Sequence, residues 1–187
     1  MGIFAVIDTE TNWNNQVMSM GIILANSKNY QMIEGRYYIF TNEAKIGGMY
    51  DGVLDIAPLK VTKHIPRTRT MQEVCTWLSR QGVEKIFAYN ARFDCRLLPE
   101  LSGFSWYDIM RLAAYRQHNP FIPADAPCCS TGRLKCNYGV EPILRLLSGQ
   151  KSYRETHNAY FDAVDELKIM ELLKISLCDY DLAKIQG

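Results

Sequence analysis

No stretch of this 187-residue chain approaches the roughly 20 consecutive apolar residues of a membrane span, so no membrane partner is expected. An excess of one charge is missing too. Lys and Arg number 21 against 20 Asp and Glu, a formal net charge of +1, and no polycationic surface follows from it. A protein gripping only the end of a nucleic-acid strand would need few phosphate contacts, so charge leaves that partner open. The apolar opening has no basic region before it and does not read as a secretory leader. Cys75, Cys95, Cys128, Cys129, Cys136 and Cys178 therefore read as buried, reduced thiols in a cytoplasm. No Cys-x2-Cys pair is present: adjacent Cys128 and Cys129, with Cys136 and His118 nearby, make a poor zinc site because neighbouring cysteines rarely share one ion. The Met1-Gly2 start meets Val6 where a myristoylation signal wants Ser or Thr. Repeats, low-complexity segments and composition shifts are all lacking, and 48% hydrophobic content suits one domain over 1–187.

What the chain does hold is an alternation of β-rich and helical stretches. Segments 3–7 (IFAVI), 17–25 (VMSMGIILA) and 30–40 (YQMIEGRYYIF) predict a three-strand antiparallel meander with Asn-rich connections. A glycine-containing loop follows, and then a helix over 71–81 with Val74, Cys75 and Leu78 on one face, ended by Gly82. "EKIFAY" at 84–89 reads as a buried strand, "FDCRLLPEL" as a short helix and "FSWY" as a last strand. A helix over 108–117 capped by Asp108 comes next. Segment 118–136, with three prolines, reads as a long loop of the kind that borders functional sites. A helix carrying Pro142 in its first turn and a long one over 159–174, burying Val164, Leu167, Met170 and Leu173, close the chain. The order predicts an α/β fold: a mixed central sheet, antiparallel meander first and parallel strands after, flanked by helices.

"AVIDTETNW", residues 5–13, runs from an apolar strand straight into two carboxylates two positions apart. Side chains at i and i+2 of a strand leave on the same face, so Asp8 and Glu10 point the same way. Their repulsion is relieved by solvent or by a cation between them. Two more acids stand out by placement. Asp94 falls just past the end of the 84–89 strand, where open α/β sheets collect ligands. Asp162 lies in the first turns of the last helix, with His157 just before it. A helix through both would turn them about 140° apart, so His157 belongs to the preceding loop, free to swing toward the same site. Four carboxylates and one imidazole on separate elements suit two hard divalent cations and a proton acceptor. Asp165 and Glu166, one turn beyond Asp162, read as a charged solvent face.

In this order and on these elements, "DTE", "NARFD" and "HNAYFD" resemble the three sequence motifs of the DEDDh 3′-5′ exonucleases, the family of the DNA polymerase III proofreading subunit and of oligoribonuclease. The resemblance runs from Ile7 to about Leu173. It implies a ribonuclease H-like fold and removal of nucleotides, as nucleoside monophosphates, from the 3′ end of DNA or RNA. Carried over, Asp8, Glu10 and Asp162 would hold one cation, and Asp8, with Asp94 through water, the second, Mg²⁺ or Mn²⁺ in each case. His157 would be the general base. The main chain at Thr9 to Thr11, with Asn90, would contact the terminal nucleotide of a single-stranded substrate. Tyr89 departs from the pattern, since many relatives carry His before the motif Asn. The polymerase-binding tail of the proofreading subunit is not in the sequence, which favours a free-standing enzyme with no polymerase partner indicated.

Trp13 could stack on a base or cover the sheet edge. Lys60, Lys63, Arg67 and Arg69 could track phosphates, or belong to a solvated loop. Two other functions share these residues: a catalytically idle domain of the same fold that binds nucleic acid or protein, which predicts a missing ligand or a missing His157, and a small-molecule phosphodiesterase, which differs only in its pocket.

Overall fold

A computed structural model describes residues 2–185. Its centre is a six-stranded sheet in the order β4-β3-β2-β1-β5-β6. Strands β1 (Ile3–Thr11), β2 (Val17–Asn26) and β3 (Met32–Phe40) form the antiparallel meander. β5 (Lys85–Ala88) lies parallel to β1, and β6 (Ser105–Asp108) parallel to β5. The mixed sheet matches the expectation.

Helices cover both faces, and the period of two along the strands divides the core accordingly. Phe4 and Val6 join one apolar cluster with Ile143, Leu144, Ile169 and Met170, from α5 (Val140–Ser148) and α6 (Ala159–Leu173). Ala5 and Ile7 join the other with Met71, Val74, Trp77 and Leu78 of α2 (Arg67–Arg80). β2, with neighbours on both edges and helices on both faces, is buried at every position. Short helices α1 (Thr41–Ala44), α3 (Arg92–Leu97) and α4 (Met110–Ala113), with a 3₁₀ turn over Asp51–Ile56, complete the parts near the site. Among the described residues no helix is long and apolar enough to cross a membrane.

Several expectations are corrected. The first strand does not stop at residue 7 but runs on to Thr11, because its partner β2 continues to pair with it past the two acids, with a register shift between Glu10 and Thr11. The basic stretch 60–69 is not a loop: it holds the edge strand β4 (Thr62–Ile65), parallel to β3, and the start of α2. Arg67 there is bound to Glu100 at 3.0 Å and to the Leu97 carbonyl at 2.7 Å, so it is not free to track a phosphate. Pro99 lacks an N–H and breaks the expected 93–101 helix into α3 and a 3₁₀ turn over Pro99–Leu101. The helix expected over 108–117 shrinks to four residues. Asp108 ends β6, and its Oδ1 accepts from the N–H groups of Asn90 (2.9 Å) and of Met110 (3.0 Å), the first residue of the shortened helix. All six cysteines are unpaired, but none is fully buried, and Cys136 and Cys178 are exposed.

Candidate active site

The site forms where β1, the turn after β5 and the start of α6 converge. Asp8 lies opposite Gly21 of β2. A Cβ on Gly21 would come within 2.0 Å of the Ala159 carbonyl oxygen, so only glycine lets the first turn of α6 lie this close to the sheet. That approach sets Asp162 beside the two acids of β1.

Asn90, at φ +60°, turns the chain out of β5 into α3, a left-handed conformation that Asn tolerates better than most residues. Asp94 follows in the first turn of α3, 3% exposed, and its Oδ1 accepts a 2.7 Å hydrogen bond from the Thr9 hydroxyl. The Thr9 side chain thus orients an acid across the site, leaving its main chain for other contacts. Thr11 is half-buried at the end of β1.

Asp162 sits in the first turn of α6, 3% exposed. The residue that fixes this turn is Asn158, which sequence reasoning passed over. Fully buried, its Oδ1 accepts from the Tyr160 N–H, and its amide nitrogen donates to Tyr37 Oη (3.1 Å) and to the Val53 carbonyl (2.7 Å). The α6 N-terminus is thereby tied to the 3₁₀ turn over Asp51–Ile56. Asn158→Ala should lower stability by about 2 to 4 kcal/mol, through a lost cap and buried groups left unpaired. Urea denaturation measures this, and a loss under about 0.5 kcal/mol would contradict it.

His157 lies on the loop before α6 in a left-handed conformation, φ +56°, as the helical-wheel argument required. Its ring stacks on Tyr50, centroids 4.2 Å apart and planes 13° from parallel. Tyr50 is a second residue that the sequence did not reveal. One ligand atom each from Glu10, His157 and Asp162 lies within 4.8 Å of the others. Asp8 and Asp94 adjoin the same cluster: the charge of Asp94 raises the proton affinity of both Asp8 and Glu10, and Asp162 and Glu10 raise that of Asp8.

The correction at Glu166 matters most. It is 1% exposed, not on a solvent face, and it joins the cluster from the next turn of α6. Asp165 is only half-buried but accepts from the Tyr153 hydroxyl, so it too is structurally engaged. Asn90, Arg92, Asp108, Arg111 and Lys184 line a neighbouring cleft of about 370 Å³. Trp13 is 67% exposed, with its indole beside Gly47.

The electrostatics of the cluster are those of acids without cations. Burial, and then neighbouring carboxylates, push Glu10 and Asp162 each up to about 8. Burial lifts Asp94 to about 7 in spite of the Thr9 hydrogen bond. Burial and then the charges of Glu166 and Asp94 raise Asp8 well above the carboxylate range, and burial and then the charge of Asp94 raise Glu166 likewise. Asp8 Oδ2, Asp162 Oδ1 and Glu166 Oε2 are buried without a hydrogen-bond partner. Unpartnered buried oxygens of this kind are costly. Hard oxygen donors that repel one another, two of them within 4.8 Å of each other and of an imidazole nitrogen, fit hard divalent cations such as Mg²⁺ or Mn²⁺ and do not fit thiolate-seeking metals.

No family model and no curated protein matches the chain. Solved structures do. The nuclease domain of 3′hExo, a DEDDh family member bound to rAMP, aligns with a TM-score of 0.64 at 9% identity, over 99% of this chain and 96% of that one. Exonuclease X in complex with 5′ overhanging duplex DNA aligns at 0.58 and 16% identity, over 96% and 99%. The zinc-bound form of the E. coli ExoI–ssDNA complex aligns at 0.61 and 15%, over 93% of this chain and 40% of that one. The chain has the fold of the DEDDh-type 3′-5′ exonucleases, a ribonuclease H-like mixed sheet with flanking helices.

Proposed function

We propose that this chain is a metal-dependent 3′-5′ exonuclease, a single domain over 1–187 that releases nucleoside monophosphates from the 3′ end of single-stranded DNA or RNA. The observation that carries this reading is the convergence of unpartnered, buried carboxylates with an imidazole on the fold just described. Asp8, Glu10, Asp94 and Asp162 would hold two cations, Mg²⁺ or Mn²⁺. Bound there, such cations supply Lewis-acid chemistry, making an attacking water more acidic and offsetting charge on the oxygens of an in-line displacement.

The chain's own residues do the rest. His157, kept in place by the Tyr50 stack, takes the proton from the attacking water at an imidazole nitrogen. Thr9 fixes the rotamer of Asp94 through its hydroxyl. The Thr9 to Thr11 main chain and Asn90 receive the terminal nucleotide and its free 3′-hydroxyl, and the exposed Trp13 ring offers a face to a base. No metal-site acid and no general base is missing, which argues against an idle domain. The unpaired thiols support a reducing, cytoplasmic setting.

A 3′-phosphate would add negative charge next to four carboxylates and should stall the enzyme. The test is a gel of one oligonucleotide labelled at its 5′ end, as DNA and as RNA, with and without a 3′-phosphate, in Mg²⁺ or in excess EDTA. A ladder shortening one nucleotide at a time is expected only with a free 3′ end and metal. Internal fragments at first sampling, full activity in EDTA, or cleavage of a chromogenic phosphodiester alone would each refute the reading.

A further inference from the structure

Asp162 and Glu166 are four residues apart on α6 and so leave on the same face, one turn from each other. Asp162 lies within ligand distance of the half-buried Glu10 and His157. Glu166 lies deeper, 1% exposed, against the backbone N–H of Tyr89 at the end of β5. Its Oε2 has no hydrogen-bond partner, and neither has the buried Oδ2 of Asp8. The charges that face Glu166 are Asp94, Asp162 and Glu155, all acidic. Among the charges facing Asp8, that of Glu166 weighs most, ahead of Asp94 and Asp162.

Resting on the reading above, we propose that Glu166 is a fifth acidic residue of the cation centre, acting on the cations from the core side of Asp8 and Asp94. The three motifs supply four carboxylates, and this one comes from outside them. A leucine or methionine at this position would fill similar volume without burying an unpaired acid, and such replacements are commonly neutral or stabilising. An acid kept here in the apolar layer between α6 and β1 has a use if it adds to the field that holds divalent ions. Its role is to raise cation affinity, so that the centre fills at lower metal concentration.

The test is calorimetric titration of the full chain with Mn²⁺, for wild type, Glu166→Gln and Glu166→Met, with circular dichroism to establish that each is folded. Removing a group that tunes a metal site from beside its ligands costs about 10- to 100-fold in metal affinity. Both variants should lose that much, and the Mn²⁺ concentration needed for a given rise in melting temperature over the metal-free form should shift upward by the same factor. Glu166→Met, with no polar group to bury, keeps the test open if Glu166→Gln does not fold. Folded variants that bind Mn²⁺ as tightly as the wild type would overturn the proposal and leave the nuclease reading intact. A wild-type chain that takes up no Mn²⁺ would instead overturn both the cation centre and the role of Glu166 in it.

Discussion

Asp8→Asn should melt several degrees above the wild type in EDTA, yet cleave an oligonucleotide more slowly by at least about 10³-fold in saturating Mg²⁺, the scale on which one strong electrostatic stabiliser acts. The two effects have one cause. Asp8 is the acid that faces the most other acids: Glu166, Asp94, Asp162 and Glu10 all raise its proton affinity. Without cations that crowding is a liability, and an amide of the same shape removes it. Each kcal/mol of relief corresponds to roughly 2 to 4 °C in a domain of this size. With cations the same position is the one proposed to touch both, so its loss should exceed that of any other single acid. Scanning calorimetry in EDTA and single-turnover cleavage in Mg²⁺ measure the two sides. An active Asp8→Asn enzyme would remove Asp8 from the cation shell, and an unchanged melting temperature would mean the repulsion is already relieved.

The same cluster fixes how stability depends on pH. Glu10, Asp94 and Asp162 hold their protons up to about 8, 7 and 8 when folded, but release them near 4 when unfolded. Between those limits the unfolded chain binds fewer protons, so stability falls as pH rises. The contribution is fully present below about pH 4 and is gone above about pH 8. In EDTA the melting temperature should therefore decline across this window, and less steeply in Asp8→Asn. Mg²⁺ binds the ionised acids and should reverse the decline at its alkaline end.

The motif acids were legible because their chemistry is local: a strand puts Asp8 and Glu10 on one face, and the end of a buried strand is where Asp94 had to be. His157 was legible by exclusion, since a continuous helix would have turned it from Asp162. Glu166 was misread although its spacing carried the signal. Four residues after Asp162 it must share that face, and a face that buries one acid can bury two. The run of charge from Asp165 to Lys168 hid this, because a helix packed on a sheet and on α5 has little solvent face near its start. Tyr50 and Asn158 act through contacts between segments distant in the sequence, the ring stack and the bonds to Tyr37 and Val53. No periodicity encodes those. β4 was missed for the opposite reason: four residues with two exposed positions are what a charged edge strand looks like, and also what a loop looks like.

His157→Ala should reduce the single-turnover rate by about 10² to 10⁴-fold, the usual worth of a general base, and leave Mn²⁺ affinity within about threefold of the wild type. The comparison is pointed because His157 lies within ligand reach of Glu10 and Asp162, which leaves two roles open to the ring. Imidazole suits zinc, copper or nickel better than Mg²⁺ or Mn²⁺, and the stack on Tyr50 holds the ring by its face, leaving the nitrogens at its edge free for a proton. A base can also be replaced from solution. Added imidazole should restore part of the His157→Ala rate, increasingly as pH rises from about 6 to 7.5 and the neutral form accumulates. Tyr50→Ala should show a smaller fall of the same kind, in rate and not in substrate affinity, because it removes the surface that orients the ring. If His157→Ala instead loses Mn²⁺ affinity in proportion to rate, and imidazole restores nothing, the residue is a ligand and the water is deprotonated by another group.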